Sequence, residues 1–230
     1  MRIAAGVWVA AAWFSVCQAR AEVSGTIAVL SDDRYRGASI SDGNPAVQAS
    51  IAVDHPAGPY AGALLSNVKI GPDTSGPGLL LYGGLTHRLI GTTAWDVGVL
   101  MHRYPSPHES PRYDYAEWYA GIGDASTSAR LFHASDYYGV GLSSWYLEAN
   151  HSMPLDGRYR LSAHLGYLVV GGSYYGIEGS RLDYKAAVGV DVAGAMVELS
   201  LVGTNREPQR CPAEKGHCGT TVVLSVSRRF

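Results

Sequence analysis

Residues 181–192, Arg181-Leu182-Asp183-Tyr184-Lys185-Ala186-Ala187-Val188-Gly189-Val190-Asp191-Val192, decide how the rest of the chain is read. Leu182, Tyr184, Ala186, Val188, Val190 and Val192 fall on one side of a two-residue period, and Asp183, Lys185, Ala187, Gly189 and Asp191 on the other. Successive strand side chains point to opposite faces, so this is a strand with one apolar face and one charged or small face. Ala193-Gly194 supplies a tight turn, after which Ala195, Val197, Leu199 and Leu201 continue the apolar face against Glu198, Ser200 and Thr204. Met196 and Val202 interrupt the contrast, but the unit reads as a hairpin.

The same alternation recurs at Val47, Ala49, Ile51 and Val53, at Trp95, Val97, Val99 and Met101, and at Tyr159, Leu161, Ala163, Leu165 and Tyr167. Windows at 23–31, 45–54, 58–69, 79–89, 93–104, 113–122, 127–134, 144–152, 158–169, 181–192, 195–204 and 219–230 give twelve strands, punctuated by Gly, Pro, Asn, Asp and Ser. Ten or fourteen would also fit: in the window 127–134, Ser128, Arg130 and Phe132 oppose Ala129, Leu131 and His133 without a clean apolar side. No stretch of 12 or more residues carries a 3.6-residue period, so the expected class is all-β.

Composition narrows the class. The 230 residues are 47% apolar and 17% charged, with 28 Gly, 15 Tyr and 3 Phe. Charge falls below the roughly 25% of a soluble domain, which excludes a disordered tail or a coiled coil, and no repeated long apolar run supports a polytopic helical membrane protein. The mean hydropathy of -0.01 is that of spans alternating apolar with polar, as in a membrane β-barrel.

Residues 1–21 read as a cleaved secretory signal: Arg2, an apolar region Ile3–Val16, and the small-x-small site Ala19-Arg20-Ala21. That region is shorter than the roughly 20 residues of a helical anchor, and Val16 is too bulky for a lipoprotein site at Cys17. Cleavage removes Arg2 and Arg20 from 18 bases and none of the 20 acids, leaving a net charge of -4, a poor match for nucleic acid. The remaining cysteines, Cys211 and Cys218, read as a disulfide closing a short loop in an exported chain. His217 has neither a second Cys pair nor a spaced His beside it, and Gly83-Gly84 and Gly171-Gly172 lack the helix of a phosphate loop, so neither metal nor cofactor is expected.

An apolar face that meets lipid should carry Tyr and Trp near the strand ends. These are 18 of the 20 aromatic residues left after cleavage, and Tyr60, Tyr104, Tyr113, Trp145, Tyr146 and Tyr159 lie at window edges, as an aromatic girdle would. The opposite face would then line a wet lumen with Asp96, Glu117, Glu148, Arg160, Asp183, Lys185, Asp191 and Glu198. In a soluble sandwich the same residues would form the solvated face. The final strand, with Val222, Leu224 and Val226 alternating toward the terminal Phe230, has the form of a signal for the outer-membrane insertion machinery, from which Arg228 departs. The stretches Gly71–Gly78, Pro105–Pro111 and Gly171–Gly179 are candidates for longer extracellular connections.

Arg34-Tyr35-Arg36-Gly37-Ala38-Ser39-Ile40-Ser41-Asp42-Gly43, Pro45-Ala46-Val47-Gln48, Gly58-Pro59-Tyr60-Ala61-Gly62 and Ser66-Asn67-Val68 resemble the N-terminal signature of the TorF family. Tyr82-Gly83-Gly84, Trp95-Asp96-Val97-Gly98-Val99, Tyr104-Pro105, Tyr115-Ala116-Glu117, Trp145-Tyr146-Leu147-Glu148-Ala149-Asn150 and the Cys211 to Cys218 loop before Ser227-Arg228-Arg229-Phe230 follow in the family's order. Asp33 departs from it, standing where the family usually has an apolar or aromatic residue. The resemblance covers nearly the whole mature chain and implies a bacterial outer-membrane β-barrel, called a porin by inference and without a defined substrate.

The expectation is therefore one domain, residues 22–230, forming an outer-membrane barrel that passes small polar solutes passively. About twelve strands leave a narrower pore than the 16 to 18 of wide porins. Its partners would be outer-membrane lipid, periplasmic chaperones, the insertion machinery and the solutes. Arg34 and Arg36 either form a constriction that favours anions or pair with lumen carboxylates such as Asp54 or Glu198 and pin the barrel shut. Another class is a non-conducting structural or ligand-binding barrel. A hydrolase would need a Ser–His pair, but His151 and Ser152 point to opposite faces, and Ser162 and His164 are about 6 to 7 Å apart along one face. No catalytic residue is assigned.

Overall fold

The computed structural model describes residues 21–71, 74–105, 113–174, 177–206 and 217–230. Residues 1–20 of the expected signal, and Cys211, lie outside them. The strands are β1 (Glu22–Leu30), β2 (Arg34–Tyr35), β3 (Ala38–Ser39), β4 (Ala46–Asp54), β5 (Pro59–Gly71), β6 (Thr74–Arg88) and β7 (Ala94–Arg103), followed by β8 (Tyr115–Gly123), β9 (Thr127–Ala134), β10 (Ser143–Pro154), β11 (Tyr159–Tyr174), β12 (Ile177–Val192), β13 (Ala195–Thr204) and β14 (Thr221–Arg229). Twelve of them close an antiparallel barrel in sequence order, and β2 and β3 form a separate ribbon. Each of the twelve expected windows coincides with a barrel strand.

Closure falls between β1 and β14, where Val29 stands opposite Val226 and Ile27 opposite Arg228. Phe230 seals the seam: its N–H donates to Gly25 O at 3.0 Å and its carbonyl accepts from Gly25 N–H at 2.9 Å. The ring lies where a Cβ on Gly25 would be. Closure leaves no open edge, so every barrel strand has two neighbours.

Alternation decides which face meets what. On β12, Arg181, Asp183, Lys185, Ala187 and Gly189 are buried inside, while Val188 and Val192 are exposed outside. Val47, Ile51, Val99, Leu147, Leu165, Leu199 and Leu224 extend that exposed apolar exterior around the barrel. An apolar belt outside and charges inside is the reverse of a soluble fold and the pattern of a membrane barrel.

One end of the barrel carries the start of β1, the end of β14 and the short turns 55–58, 89–93, 124–126, 155–158 and 193–194. Ala193 and Gly194, at φ +52° and +80°, make the expected two-residue hairpin turn. Backbone N–H groups of Ser126 and Thr127 hold the Asp124 carboxyl below the usual carboxylate range, and those of Tyr159 and Arg158 do the same for Asp156. The other end carries the longer connections, and here the expectation needs correction. Gly71–Gly78 and Gly171–Gly179 are mainly strand, since β5 and β6 run to Gly71 and from Thr74, and β11 and β12 to Tyr174 and from Ile177. Residues 106–111 of Pro105–Pro111 lie outside the described residues. A long connection at this end is instead 31–45, between β1 and β4, which turns into the barrel.

Candidate functional site

The connection 31–45 places a two-stranded hairpin, β2 and β3, in the lumen. Its tip is Arg36-Gly37, with φ +49° and +76°, the positive values that a two-residue type I′ turn requires. Glycine adopts them freely, whereas for arginine the left-handed region costs of order 1 to 2 kcal/mol, so contacts of the Arg36 side chain must offset it. A Cβ on Gly37 would stand 2.6 to 2.7 Å from Thr204 Cγ2, Asp183 Cβ and Gly203 O, so the tip abuts β12 and β13 on the far wall.

Arg36 is buried at the centre of the barrel. Its Nη2 donates to Glu117 Oε1 at 2.9 Å and Oε2 at 2.8 Å, from β8. Its guanidinium carbon lies 4.0 Å from the ring centroid of Tyr146, 4.8 Å from Tyr35, 5.6 Å from Phe132 and 5.7 Å from Tyr137. Such a cation–π cage contributes most where water is excluded. Glu117 also accepts from Tyr35 OH at 3.1 Å and lies 3.3 Å from His102 Nε2. Arg34 Nε donates to Asp32 Oδ2 at 2.6 Å, and its Nη1 donates to the carbonyls of Gly37 and Gly219.

The root of the hairpin is stitched to the wall. Asp33 Oδ2 accepts from Gln48 Nε2 at 2.8 Å and Ser66 Oγ at 2.6 Å, on β4 and β5. Asp32 Oδ1 accepts from Ser39 and Ser41 Oγ, and the backbone N–H of Lys69 donates to Ile40 O at 2.7 Å. The Asp42-Gly43 turn is as expected, with Asn44 N–H donating to Ser41 O. Arg34 and Arg36 are thus on an inserted loop and not on the wall, paired with Asp32 and Glu117 and not with Asp54 or Glu198. Each guanidinium is matched by a carboxylate, the arrangement of the pairing alternative with Asp32 and Glu117 as the acids.

Of the wall positions expected to face the lumen, Asp96, Glu117, Glu148, Asp183, Lys185 and Glu198 are buried inside, and Arg160 is half-buried. Arg130 bridges to Asp96 at 3.0 Å, Lys185 to Glu198 at 2.5 Å, and His164 Nε2 lies 2.9 Å from Asp183 Oδ1. Asn150 links His164 Nδ1 at 2.7 Å and Glu148 Oε1 at 3.2 Å. Asp191 departs from the expectation: it is exposed at the strand end and accepts Gly194 N–H at 3.1 Å, capping the turn. Ser162 Oγ reaches Glu198 at 3.5 Å and not His164, both of whose ring nitrogens face other groups. No Ser–His couple forms from that pair.

The aromatic residues divide differently from a simple girdle. Trp145 and Tyr159 are exposed outside, joined by Trp118 and Tyr167, but Tyr60 and Tyr146 are buried inside, and Tyr104 and Tyr113 pack on Tyr138. The inner tyrosines fill space left by glycines. Tyr119 OH lies 2.5 Å from where a Gly98 Cβ would be, Tyr60 OH 2.5 Å from that of Gly84, and Tyr146 OH 2.1 Å from that of Gly166. A barrel this narrow is filled by side chains, and tyrosine laid over glycine fills it without pushing the wall outward. A one-turn helix, Tyr137–Gly139, adds two more rings, with Tyr138 held at φ +57°.

Two small cavities lie beside the hairpin among the described residues. A cavity of about 50 Å³ lies between it and Gln48, Glu148, Asn150 and His164, and another of about 20 Å³ lies toward Lys185 and Glu198. These hold a few waters at most. Sequence reading missed Asp32, Arg130, His102 and Arg181. Parity alone could have found Arg130 and Arg181, which share the inward register of Phe132 and Asp183.

The fold and lumen together define a class: a twelve-stranded barrel of the outer-membrane type with its first long connection folded inside. The chain belongs to the family described as "Bacterial protein of unknown function (Gcw_chp)", matched over residues 16–230. A search of curated proteins finds no match. Among solved structures it is similar to the KdgM porin (TM-score 0.55, 9% identity, 90% of this chain and 99% of that one). It is also similar to the NanC porin (0.54, 7%, 90% and 98%) and to the COG4313 outer membrane channel from Pseudomonas putida F1 (0.53, 12%, 94% and 97%). At these identities the likeness is one of fold.

Proposed function

We propose that the protein is a porin-like channel of the bacterial outer membrane, of the TorF type, passing small polar solutes through a narrow lumen that hairpin 34–39 closes at rest. The observation that carries this reading is the burial of Asp96, Glu117, Glu148, Asp183, Lys185 and Glu198 inside a barrel with an apolar exterior. Buried charge is costly, and a packed apolar interior would serve a purely structural barrel as well or better. A channel needs a polar path, and a loop held to the wall mainly by side-chain bonds, with backbone bonds among the described residues only at Ser39 and Ile40, can leave it. The likeness in fold to the KdgM and NanC porins supports the same reading.

In this reading the short-turn end is periplasmic and the long connections extracellular. Residues 1–21 are cleaved, Val222, Leu224, Val226 and Phe230 engage the insertion machinery after periplasmic chaperones, and Cys211 and Cys218 form a disulfide between β13 and β14. The intact mass of the exported chain should lack residues 1–21 and two thiol hydrogens.

Single-channel conductance of the refolded chain in a planar bilayer tests the function. Discrete steps, brief in the native chain, are expected. A second reading, a non-conducting structural or binding barrel, is favoured by the hairpin and tyrosines packed inside the lumen, and a folded barrel that never conducts would move the assignment to it. A chain that stays folded and soluble without detergent would overturn both.

A further inference from the structure

The Arg36 site has the composition of a ligand site, with its occupant supplied by the chain. Glu117 on β8, Phe132 on β9 and Tyr146 on β10 belong to the wall, and Tyr137 to the turn above it. Together they surround one guanidinium with ring faces at 4.0 to 5.7 Å and a carboxylate at 2.8 Å. Aromatic faces around a carboxylate are the chemistry that recognises organic cations. Arg36 uses the site incompletely: its Nε and Nη1 are buried and have no hydrogen-bond partner. The charge of the wall has the same sense. Among the described residues, buried Asp96, Glu117, Glu148, Asp183 and Glu198 face buried Arg130, Arg181 and Lys185, so the strands alone carry more acid than base.

We propose that Arg36 is a built-in ligand occupying an organic-cation site, and that a guanidinium or alkylammonium solute taking its place releases the hairpin. This rests on the channel reading and adds to it the class of solute and the event that opens the lumen. The unfavourable backbone of Arg36 fits the proposal. Asparagine or glycine would turn the chain at lower cost, but neither delivers a guanidinium to Glu117. A tethered ligand acts at an effective concentration in the millimolar range, so a free cation binds the native chain weakly and binds a vacated site better.

The test is binding of methylguanidinium to the detergent-refolded chain, followed by NMR shifts of the tyrosine rings, against sodium chloride at equal ionic strength. Arg36→Ala should bind it about tenfold or more tightly than the native chain. Adding Glu117→Gln should abolish that gain. Should Arg36→Ala fail to fold, Arg36→Gln keeps the side-chain length without the charge and is measured the same way. Unchanged affinity in the Arg36 variants, or a gain that survives Glu117→Gln, would overturn the proposal. In bilayers methylguanidinium should lengthen the open time of the native channel but not of Arg36→Ala. Binding without conductance would defeat the channel reading and leave the site standing, whereas conductance indifferent to both Arg36 and methylguanidinium would defeat the site and leave the channel standing.

Discussion

Single side chains in this barrel are held by close approach. Gly98 is one such case: an added Cβ would lie 2.5 Å from Gly83 O as well as 2.5 Å from Tyr119 OH, and the first of these is backbone of the neighbouring strand. Gly98→Val should therefore cost about 1 to 3 kcal/mol by overpacking, read as a lower midpoint of urea unfolding from vesicles, and a midpoint unchanged from the native chain would contradict the packing described. Glu117 is the charged counterpart. Glu117→Gln leaves the Arg36 guanidinium buried without its counter-ion, a loss expected at about 3 to 5 kcal/mol. Arg36→Gln with Glu117→Gln should recover part of it, since no charge is then stranded. The same urea unfolding experiment separates the single from the double variant. The residue scale was the least legible from sequence. The motif Arg34-Tyr35-Arg36-Gly37 stands out in the chain, but its partner Glu117 lies 81 positions away, and no spacing rule joins them.

Strands and turns were far more legible, because their determinants are local. Period-two alternation is a property of a few consecutive residues, so every barrel strand emerged with ends within a few residues, including 127–134, where Arg130 and Phe132 face in and His133 faces out beside Trp118 and Trp145. Strand pairing also ran into loop-like composition, as far as Tyr174 and again from Ile177, past a register shift between Val170 and Ser173 that no alternation foretold. The prediction at this scale concerns which face meets lipid. Val188→Arg on the exterior of β12 should impair insertion by up to roughly 2 to 4 kcal/mol, less if the site lies near an interface. Ser162→Arg, one strand over and facing in toward Glu198, should be tolerated far better. Equal effects in a folding assay with lipid vesicles would contradict the inside-out arrangement.

For the whole molecule, the question is what the inserted hairpin does to a lumen that twelve strands already make narrow. Its contacts reach β8, β10, β12 and β13 from a root on β1 and β4, so it spans the barrel and holds opposite walls together. Replacing 34–39 by a short Gly-Ser turn should raise single-channel conductance several-fold and shift the reversal potential toward cations, since the wall acids outnumber the wall bases once Arg36 leaves. A larger but anion-selective current would show that other groups set the field. A barrel of unchanged conductance would show that the hairpin is not the closing element.

Taken alone, the sequence determined the class of fold, a strand count of about twelve, the outward face of the strands with clean alternation and the tight turn at Ala193-Gly194, because these follow from two-residue periodicity and turn chemistry within short windows. It also identified six of the wall charges that the barrel buries, by parity. What it left open was decided by closure of the barrel. Closing twelve strands brings residues far apart in the chain to face one another across a short diameter. That is why Tyr60 and Tyr146, expected at a girdle, lie over inner glycines, why Arg36 meets Glu117 and the rings of Phe132, Tyr137 and Tyr146, and why hairpin 34–39 occupies the lumen instead of standing above it.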